Sequence, residues 1–445
     1  MRGRGYVFYA SIVAALGGFL FGFDTAVISG AEKSIQELFQ HSGFWHGLTV
    51  AMALIGTVIG ALVAGKPADV FGRKQALIVI ALLYMVSALG SALTSNWYGF
   101  MIYRFLGGLG VGASSVIGPM YIAEIAHANL RGRLVGLFQF NVVTGILVAF
   151  FSNYLISQYI ATEGWRYMLG IEAIPALLFL ILLIPIPATP RWLVIKDRID
   201  DARALLSRLA TPNPEQVLNQ IIDSVRSATT RQDETLFQSK YRKPIMLAFL
   251  LAFFNQMSGI NAIMYFAPRI FEMAGYSSDS AMFQAVSVGV TNLVFTIIAM
   301  SVIDFFGRKK LLITGSLGMI LFLGIVGLNF LSPNPGGTIV LVSLLGFIAF
   351  FGLSQGAVIW VYIAEVFPNR VRAKGQAFGS FSHWFMAALI SWLFPVIAEY
   401  GETGGGIAFL VFSVSMMVQF FVVKIWFPET KGKSLEEIQK EMVTE

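Results

Sequence analysis

The sequence predicts an all-α membrane protein: twelve transmembrane helices in two pseudo-symmetric six-helix bundles, with a cytoplasmic helical linker between them. Three observations carry that prediction. Of 445 residues, 56% are hydrophobic and 13% charged, with a net charge of +6, whereas an ordinary soluble domain carries about 25% charge. The apolar residues gather into twelve runs near the roughly 20 residues that a spanning helix needs. Short polar motifs recur in the second half of the chain at nearly one offset.

Six runs lie near residues 8–30, 46–67, 75–94, 98–123, 134–157 and 168–187. Arg2 and Arg4 precede the first run as in a secretory leader, but no small-residue cleavage site follows, so it reads as a retained span. The block from Arg191 to Lys243 is charged. It reads as short amphipathic helices, such as Ile199-Asp-Asp-Ala-Arg-Ala-Leu-Leu-Ser-Arg-Leu209, broken at Thr211-Pro-Asn-Pro214 and packing on the helix ends. Six more runs lie near 244–267, 281–303, 311–331, 338–364, 375–398 and 405–427. The division is therefore 1–187, linker 188–242, 243–428, and a tail 429–445.

An even count puts both termini on one side. Loops on that side hold Arg73, Lys74, Arg131, Arg133, Arg308, Lys309, Lys310, Arg370, Arg372 and Lys374. The opposite loops hold Lys33, Arg166 and Arg269, with Glu163, Glu399 and Glu402. Positive loops stay inside, which makes both termini cytoplasmic. The same distribution explains the basic balance without a nucleic-acid partner. Absence of cysteine excludes disulfides and thiolate metal sites. No metal cluster, nucleophile–base pair or phosphate loop points to an enzyme. Gly107-Gly-Leu-Gly110-Val-Gly112 lacks the strand and full pattern of a dinucleotide loop and reads as close helix packing.

The halves repeat. Asp69-Val-Phe-Gly72-Arg73-Lys74 returns as Asp304-Phe-Phe-Gly307-Arg308-Lys309, and Tyr121-Ile-Ala-Glu124 as Tyr362-Ile-Ala-Glu365, each glutamate preceding an arginine, Arg131 or Arg372. Parallel six-span repeats are a common plan of secondary transporters.

At these repeats, and at Gly164-Trp-Arg-Tyr-Met-Leu169, Pro187-Ala-Thr-Pro-Arg191, Asn255-Gln256-Met-Ser-Gly-Ile-Asn261 and Pro428-Glu-Thr-Lys-Gly432-Lys-Ser-Leu-Glu-Glu437, the chain resembles the sugar porters of the major facilitator superfamily. That group holds bacterial pentose and hexose proton symporters and human facilitative glucose transporters. Phe-Gly-Phe-Asp24-Thr-Ala-Val-Ile-Ser-Gly and Glu172-Ala-Ile-Pro-Ala-Leu-Leu-Phe bring it nearest to the bacterial xylose–proton symporters. Two departures stand out. Ala188 and Thr189 replace a Glu-Ser pair, removing a carboxylate from the cytoplasmic network, and Asn255 replaces a glutamine.

A monosaccharide offers hydroxyls above an apolar C–H face, so its site needs amides, which both donate and accept, and an aromatic plate. The spans supply Gln139, Asn255, Gln256, Asn261, Asn292, Trp360 and the pair His383-Trp384. Tyr265 shares a helix face with Asn261 at i, i+4, and Phe21 joins them. Ser258-Gly259 is placed to break span 7, and Gly352 and Gly356 to bend span 10. The resemblance implies sugar contact for Gln139, Gln256, Asn261 and Trp360 in particular. Asn153, near a span end, reads instead as interhelical glue.

Asp24 and Arg104 interrupt apolar runs, where an ionised side chain costs about 2.5–3.5 kcal/mol or more. A carboxylate approached by a cation in one state and abandoned in another gains and loses a proton, and Glu172 is the candidate third member. The alternative is a static ion pair that fixes helix register. Asp69, Arg73, Glu124, Arg131, Asp304, Arg308, Glu365 and Arg372 are the expected cytoplasmic gate, a charge network biasing a near-balanced equilibrium.

The resulting expectation is a secondary active transporter of the cytoplasmic (inner) membrane that imports a monosaccharide by proton symport through alternating access. D-xylose or D-glucose stands ahead of arabinose and galactose. A proton-independent uniporter and, more remotely, a non-transporting sugar receptor are the alternatives. No cofactor is expected beyond the coupling proton. The partners are the sugar, the proton and the bilayer, and the chain is expected to act as a monomer.

Overall fold

The fold is seen in a computed structural model that describes residues 3–127, 129–160, 162–230, 234–368, 370–401, 403–433, 437–438 and 442. Twelve helices among these are long and apolar enough to cross a bilayer: Gly5–Phe39, Gly43–Val63, Arg73–Leu93, Trp97–Ile125, Arg131–Tyr159, Gly164–Leu183, Ser239–Met273, Ser278–Phe306, Arg308–Phe330, Gly337–Val366, Arg372–Ala398 and Gly404–Trp426. They are spans 1 to 12. The motif residues Glu402, Ser434, Leu435 and Glu436 lie outside the described residues.

Span 1 runs nine residues beyond its expected end near 30. Hydropathy stops there because Glu32, Lys33 and Glu37 follow, but the helix continues because Glu32 and Lys33 find partners inside the protein. Span 2 ends at Val63, and Gly65–Phe71 forms a separate short helix carrying Asp69. Span 6 begins four residues earlier than expected and contains a break between Gly164–Gly170 and Ala173–Leu183. Pro175 lacks the N–H that would close the ladder onto Ile171; Ile174 bonds to that carbonyl instead. Glu172 sits in that break.

Span 7 breaks where Ser258-Gly259 allows it. Gly259 has φ +80°, a left-handed geometry that costs other residues about 1 kcal/mol or more, and the Phe412 ring occupies the space a Cβ would take. Span 10 breaks at Ser354, between the two glycines expected to bend it, separating Gly337–Leu353 from Gln355–Val366. The linker forms three helices, Pro190–Ile195, Ile199–Arg208 and Pro214–Thr230, with Pro214 opening the third after the expected interruption.

The chain packs as two compact units. One draws on the described parts of Met1–Asp24, Gly56–Gly145 and Leu169–Asp233; the other on Thr25–Ile55, Ile146–Met168 and Glu234–Glu445. This partition cuts spans 1, 2, 5 and 6 along their lengths, whereas the motif repeats divide the chain in order. In the first unit, spans 2 and 4 interlock through glycines: a Cβ on Gly112 would strike the Thr57 carbonyl, and one on Gly60 the Leu109 carbonyl. The glycine run of span 4 is therefore packing, as read from sequence. In the second unit, Asn153 donates 3.0 Å to the Val27 carbonyl against Gly30, the glue role expected of it. Ile438 and Met442 of the tail are buried in one apolar cluster with Tyr362, Val366 and Phe367.

Candidate functional site

The first unit holds a buried ionic group. Asp24 and Arg104 are each 1% exposed. Nη1 of Arg104 donates to Asp24 Oδ1 at 2.6 Å, and Nη2 lies 3.4 Å from Oδ2 and from the Asp24 carbonyl. Glycine at 107 lets span 4 come this close, since a Cβ there would meet the Ser87 hydroxyl and lie 3.5 Å from Asp24 Oδ1. Glu172, equally buried at the break of span 6, lies close enough to Asp24 and Arg104 to feel the charge of both. Two carboxylates thus face one guanidinium where water is excluded. Phe21 and Gln139 belong to the same unit, both half-buried.

The repeated charge motifs build the same device once in each unit. Arg73 bonds Glu124 at 3.0 Å and Asp69 at 2.9 Å, while Thr189 donates to the second Glu124 oxygen at 2.5 Å. Arg308 bonds Glu365 at 2.9 Å and Asp304 at 3.1 Å, and Thr430 donates to Glu365 at 2.6 Å. Tyr121 and Tyr362 donate to the carbonyls of Pro187 and Pro428. The pairing contained in the structure is thus internal to each unit. Arg372 donates to the Phe367 carbonyl and Arg131 is exposed; among the described residues neither makes an ion pair.

This correspondence aligns Ala188 with Glu429. Glu429 accepts from the backbone N–H groups of Arg308 (2.9 Å) and Lys309 (3.1 Å), capping the start of span 9. Span 3 starts at the matching Gly72, where Trp192 and Gln75 stand in the place that Glu429 takes beside Gly307 in the other unit. Ala188→Glu should restore the anion at that helix start and stabilise the fold by about 0.5–1 kcal/mol. Thermal unfolding checks this: an unchanged or lower midpoint would mean that Trp192 denies the carboxylate its place.

The second unit gathers most of the expected sugar residues. Asn255 and Gln256 are each 1% exposed at the end of the first half of span 7, and half-buried Asn261 opens its second half. Asn261 Nδ2 donates to Gln256 Oε1 at 2.8 Å, and Gln256 Nε2 to Asn255 Oδ1 at 3.0 Å. His383 on span 11 lies 3.3 Å from the Gln256 amide nitrogen. Its ring packs on Trp360 of span 10, centroids 4.9 Å apart, and edge-on to Trp384 at 4.8 Å. Trp360 remains 37% exposed beside these amides, an aromatic plate next to donors and acceptors. Tyr265 and Asn292 are buried on spans 7 and 8. The Ser258-Gly259 break makes the cluster possible, because it separates Gln256 from Asn261 by a turn that faces their amides toward each other.

Four groups of this region were not anticipated. Gln355 and Gln419 are fully buried and bonded at 2.7 Å. At the far ends of spans 1 and 2, within the second unit, Glu32 receives Arg269 at 2.7 Å and His46 at 2.7 Å. Gln36 and Arg269 converge on Glu399, and Lys33 pairs with Glu272 at 2.7 Å. Glu32 carried no signal like that of Asp24, because the expected span closes near residue 30 and leaves it outside, whereas the helix continues to Phe39.

Residues 10–442 match the family described as Sugar (and other) transporter. The D-xylose-proton symporter of Escherichia coli (strain K12) is 36% identical, the alignment covering 98% of this chain and 95% of the relative. The arabinose-proton symporter of Bacillus subtilis (strain 168) is also 36% identical, over 98% and 95%. Among solved structures, the inward open conformation of the xylose transporter XylE from E. coli superposes with a TM-score of 0.87 at 35% identity, covering 98% of this chain and 100% of that one.

Proposed function

This chain belongs to the sugar (and other) transporter family, within the major facilitator superfamily, and on that premise we propose that it imports a monosaccharide together with a proton. It is a multi-pass membrane carrier rather than an enzyme. The substrate we assign is a pentose or hexose, D-xylose or D-glucose first, taken up across the cytoplasmic (inner) membrane with both termini cytoplasmic. The protein acts as a monomer in the bilayer, and the proton is the coupling ion without further cofactor.

The observation that carries the reading is the dry grouping of Asp24, Arg104 and Glu172. An uncompensated buried charge costs several kcal/mol, so two carboxylates beside one guanidinium are balanced by a single shared proton. Loading that proton and releasing it requires a change in access or in the distance to Arg104, which is what alternating access supplies. The amides Gln139, Asn255, Gln256, Asn261 and Asn292 then match sugar hydroxyls, with His383 as a further donor or acceptor. Phe21, Tyr265, Trp360 and Trp384 supply apolar faces.

Movement is assigned to the chain-order halves, 1–187 and 243–428, with the charged motifs as the cytoplasmic gate. Asp69, Arg73, Glu124 and Arg131 exchange partners with Asp304, Arg308, Glu365 and Arg372 when the carrier opens outward. Pairs to the water-exposed Asp69 and Asp304 contribute about 0–1 kcal/mol each and the drier Arg73–Glu124 and Arg308–Glu365 pairs weigh more, enough together to bias a balanced equilibrium.

The test is proton movement. Adding D-xylose or D-glucose to proteoliposomes, without an imposed gradient, should alkalinise the external medium as protons enter with sugar. Sugar entry with no pH change would leave a uniporter in which Asp24–Arg104 is structural.

A further inference from the structure

Asn255, Gln256 and Asn261 do not end at the sugar. Asn255 Nδ2 is shared between Gln355 Oε1 and the Gln355 carbonyl, each at 3.4 Å, and Gln355 Nε2 donates to Gln419 Oε1 at 2.7 Å. Together with Asn261 Nδ2 to Gln256 Oε1 and Gln256 Nε2 to Asn255 Oδ1, this makes a row of five amides. Each of the first four donates to the next in the same direction, from span 7 through span 10 to Gln419 on span 12. Gln355 and Gln419 are 0% exposed and lie at its inner end.

We propose that Gln355 and Gln419 are positioning residues of the sugar site, anchoring a one-way amide chain that fixes which edge of Asn255, Gln256 and Asn261 the sugar meets. The proposal deepens the transport reading and rests on it. An amide has a donor edge and an acceptor edge of nearly identical shape, so packing alone does not choose between them. The chain chooses. With Gln419 Oε1 as the terminal acceptor, Gln355 must donate toward it and offer its own oxygen to Asn255. Asn255 then offers oxygen to Gln256, and Gln256 offers oxygen to Asn261. Hydrogen bonds in such a row polarise one another in a medium of low dielectric. A hydroxyl meeting the wrong edge loses its bond and leaves a buried group unpaired, which is how polar sites discriminate between close analogues.

Two further features favour positioning over simple helix glue. Gln419 Nε2 is buried without a partner among the described residues. The bonded atom of Gln419 is the oxygen, the group the chain requires. Gln355 is also the first residue after the Ser354 break of span 10, so any shift of that half-helix, which carries Trp360, moves the anchor of the amides with it.

The experiment is isothermal titration of purified protein with D-xylose and with D-glucose, alongside thermal unfolding in the absence of sugar. The variants are Gln355→Met, Gln419→Met and Gln419→Glu. Methionine keeps length and volume without the acceptor; glutamate, held as the neutral acid at a site this dry, keeps a carbonyl oxygen for Gln355 Nε2 and puts a hydroxyl in place of the partnerless amide nitrogen. Both methionine variants should weaken binding by about tenfold, the scale of one hydrogen bond, and change the xylose-to-glucose affinity ratio. Gln419→Glu should restore wild-type affinity to within about twofold. Methionine variants that lower the unfolding midpoint but keep affinity and ratio would make the pair helix glue and overturn the proposal. So would a Gln419→Glu protein as weak as Gln419→Met. A wild-type protein that binds neither sugar would instead sink the transport reading.

Discussion

Asp24→Asn is expected to abolish uphill sugar accumulation while sparing sugar binding. Asparagine is nearly isosteric, so it fills the same space against Arg104 and the glycine face of span 4. What it removes is one of two carboxylates. Arg104 is then balanced by Glu172 alone, a neutral pair with no proton to carry and no reason to release one. The amides and aromatic rings assigned to sugar lie on other residues, chiefly of spans 7, 10 and 11, so their chemistry is untouched. One pH unit is worth about 1.4 kcal/mol, or tenfold. Wild-type proteoliposomes with a one-unit gradient should therefore concentrate sugar roughly tenfold at one proton per sugar, and the variant roughly onefold. Counterflow, which needs no net proton movement, should persist. A variant that still concentrates sugar would remove Asp24 from the coupling and place the burden on Glu172.

What the sequence made legible follows from the severity of the bilayer as a solvent. Twelve apolar runs had to be helices, and a carboxylate and an arginine inside two of them had to have partners. Asp24 and Arg104 accordingly lie at 2.6 Å, and the Gly259 break stands where a left-handed residue was available. Partner identity was less legible. Glu32 and Arg269 are 237 residues apart, and their charges disguised the end of span 1, because a hydropathy window counts a charge without knowing that it is neutralised. Gln355 and Gln419 were overlooked for a related reason: a lone amide in a span looks the same whether it glues helices or orients a ligand. Thr189 marks the opposite case. Read as a departure that removed a carboxylate nearby, it supplies a hydroxyl that holds Glu124. The missing carboxylate at Ala188 matters to the backbone cap instead.

The duplicated charge motif allows a second large effect to be ranked within one molecule. In the first unit, Arg73 is 4% exposed at its side chain and Glu124 11%; in the second, Arg308 is 11% and Glu365 21%. Asp69 and Asp304 are mostly in solvent and contribute little. Removing one partner of a buried pair costs about 3–5 kcal/mol, since the other is left charged and dry. Arg73→Ala should thus destabilise by about 3 kcal/mol, having also removed a donor to the Ala68 carbonyl. Arg308→Ala should cost less, about 1–2 kcal/mol, because its partner keeps more water. Thermal unfolding of the two variants ranks them, and the reverse order would mean that dryness does not set the cost. Adding Glu124→Gln to Arg73→Ala sharpens the point. If the cost is an orphaned carboxylate, neutralising it should recover stability, making the double variant more stable than the single one. Additive losses would instead assign the effect to packing of the arginine stem between the two helix ends.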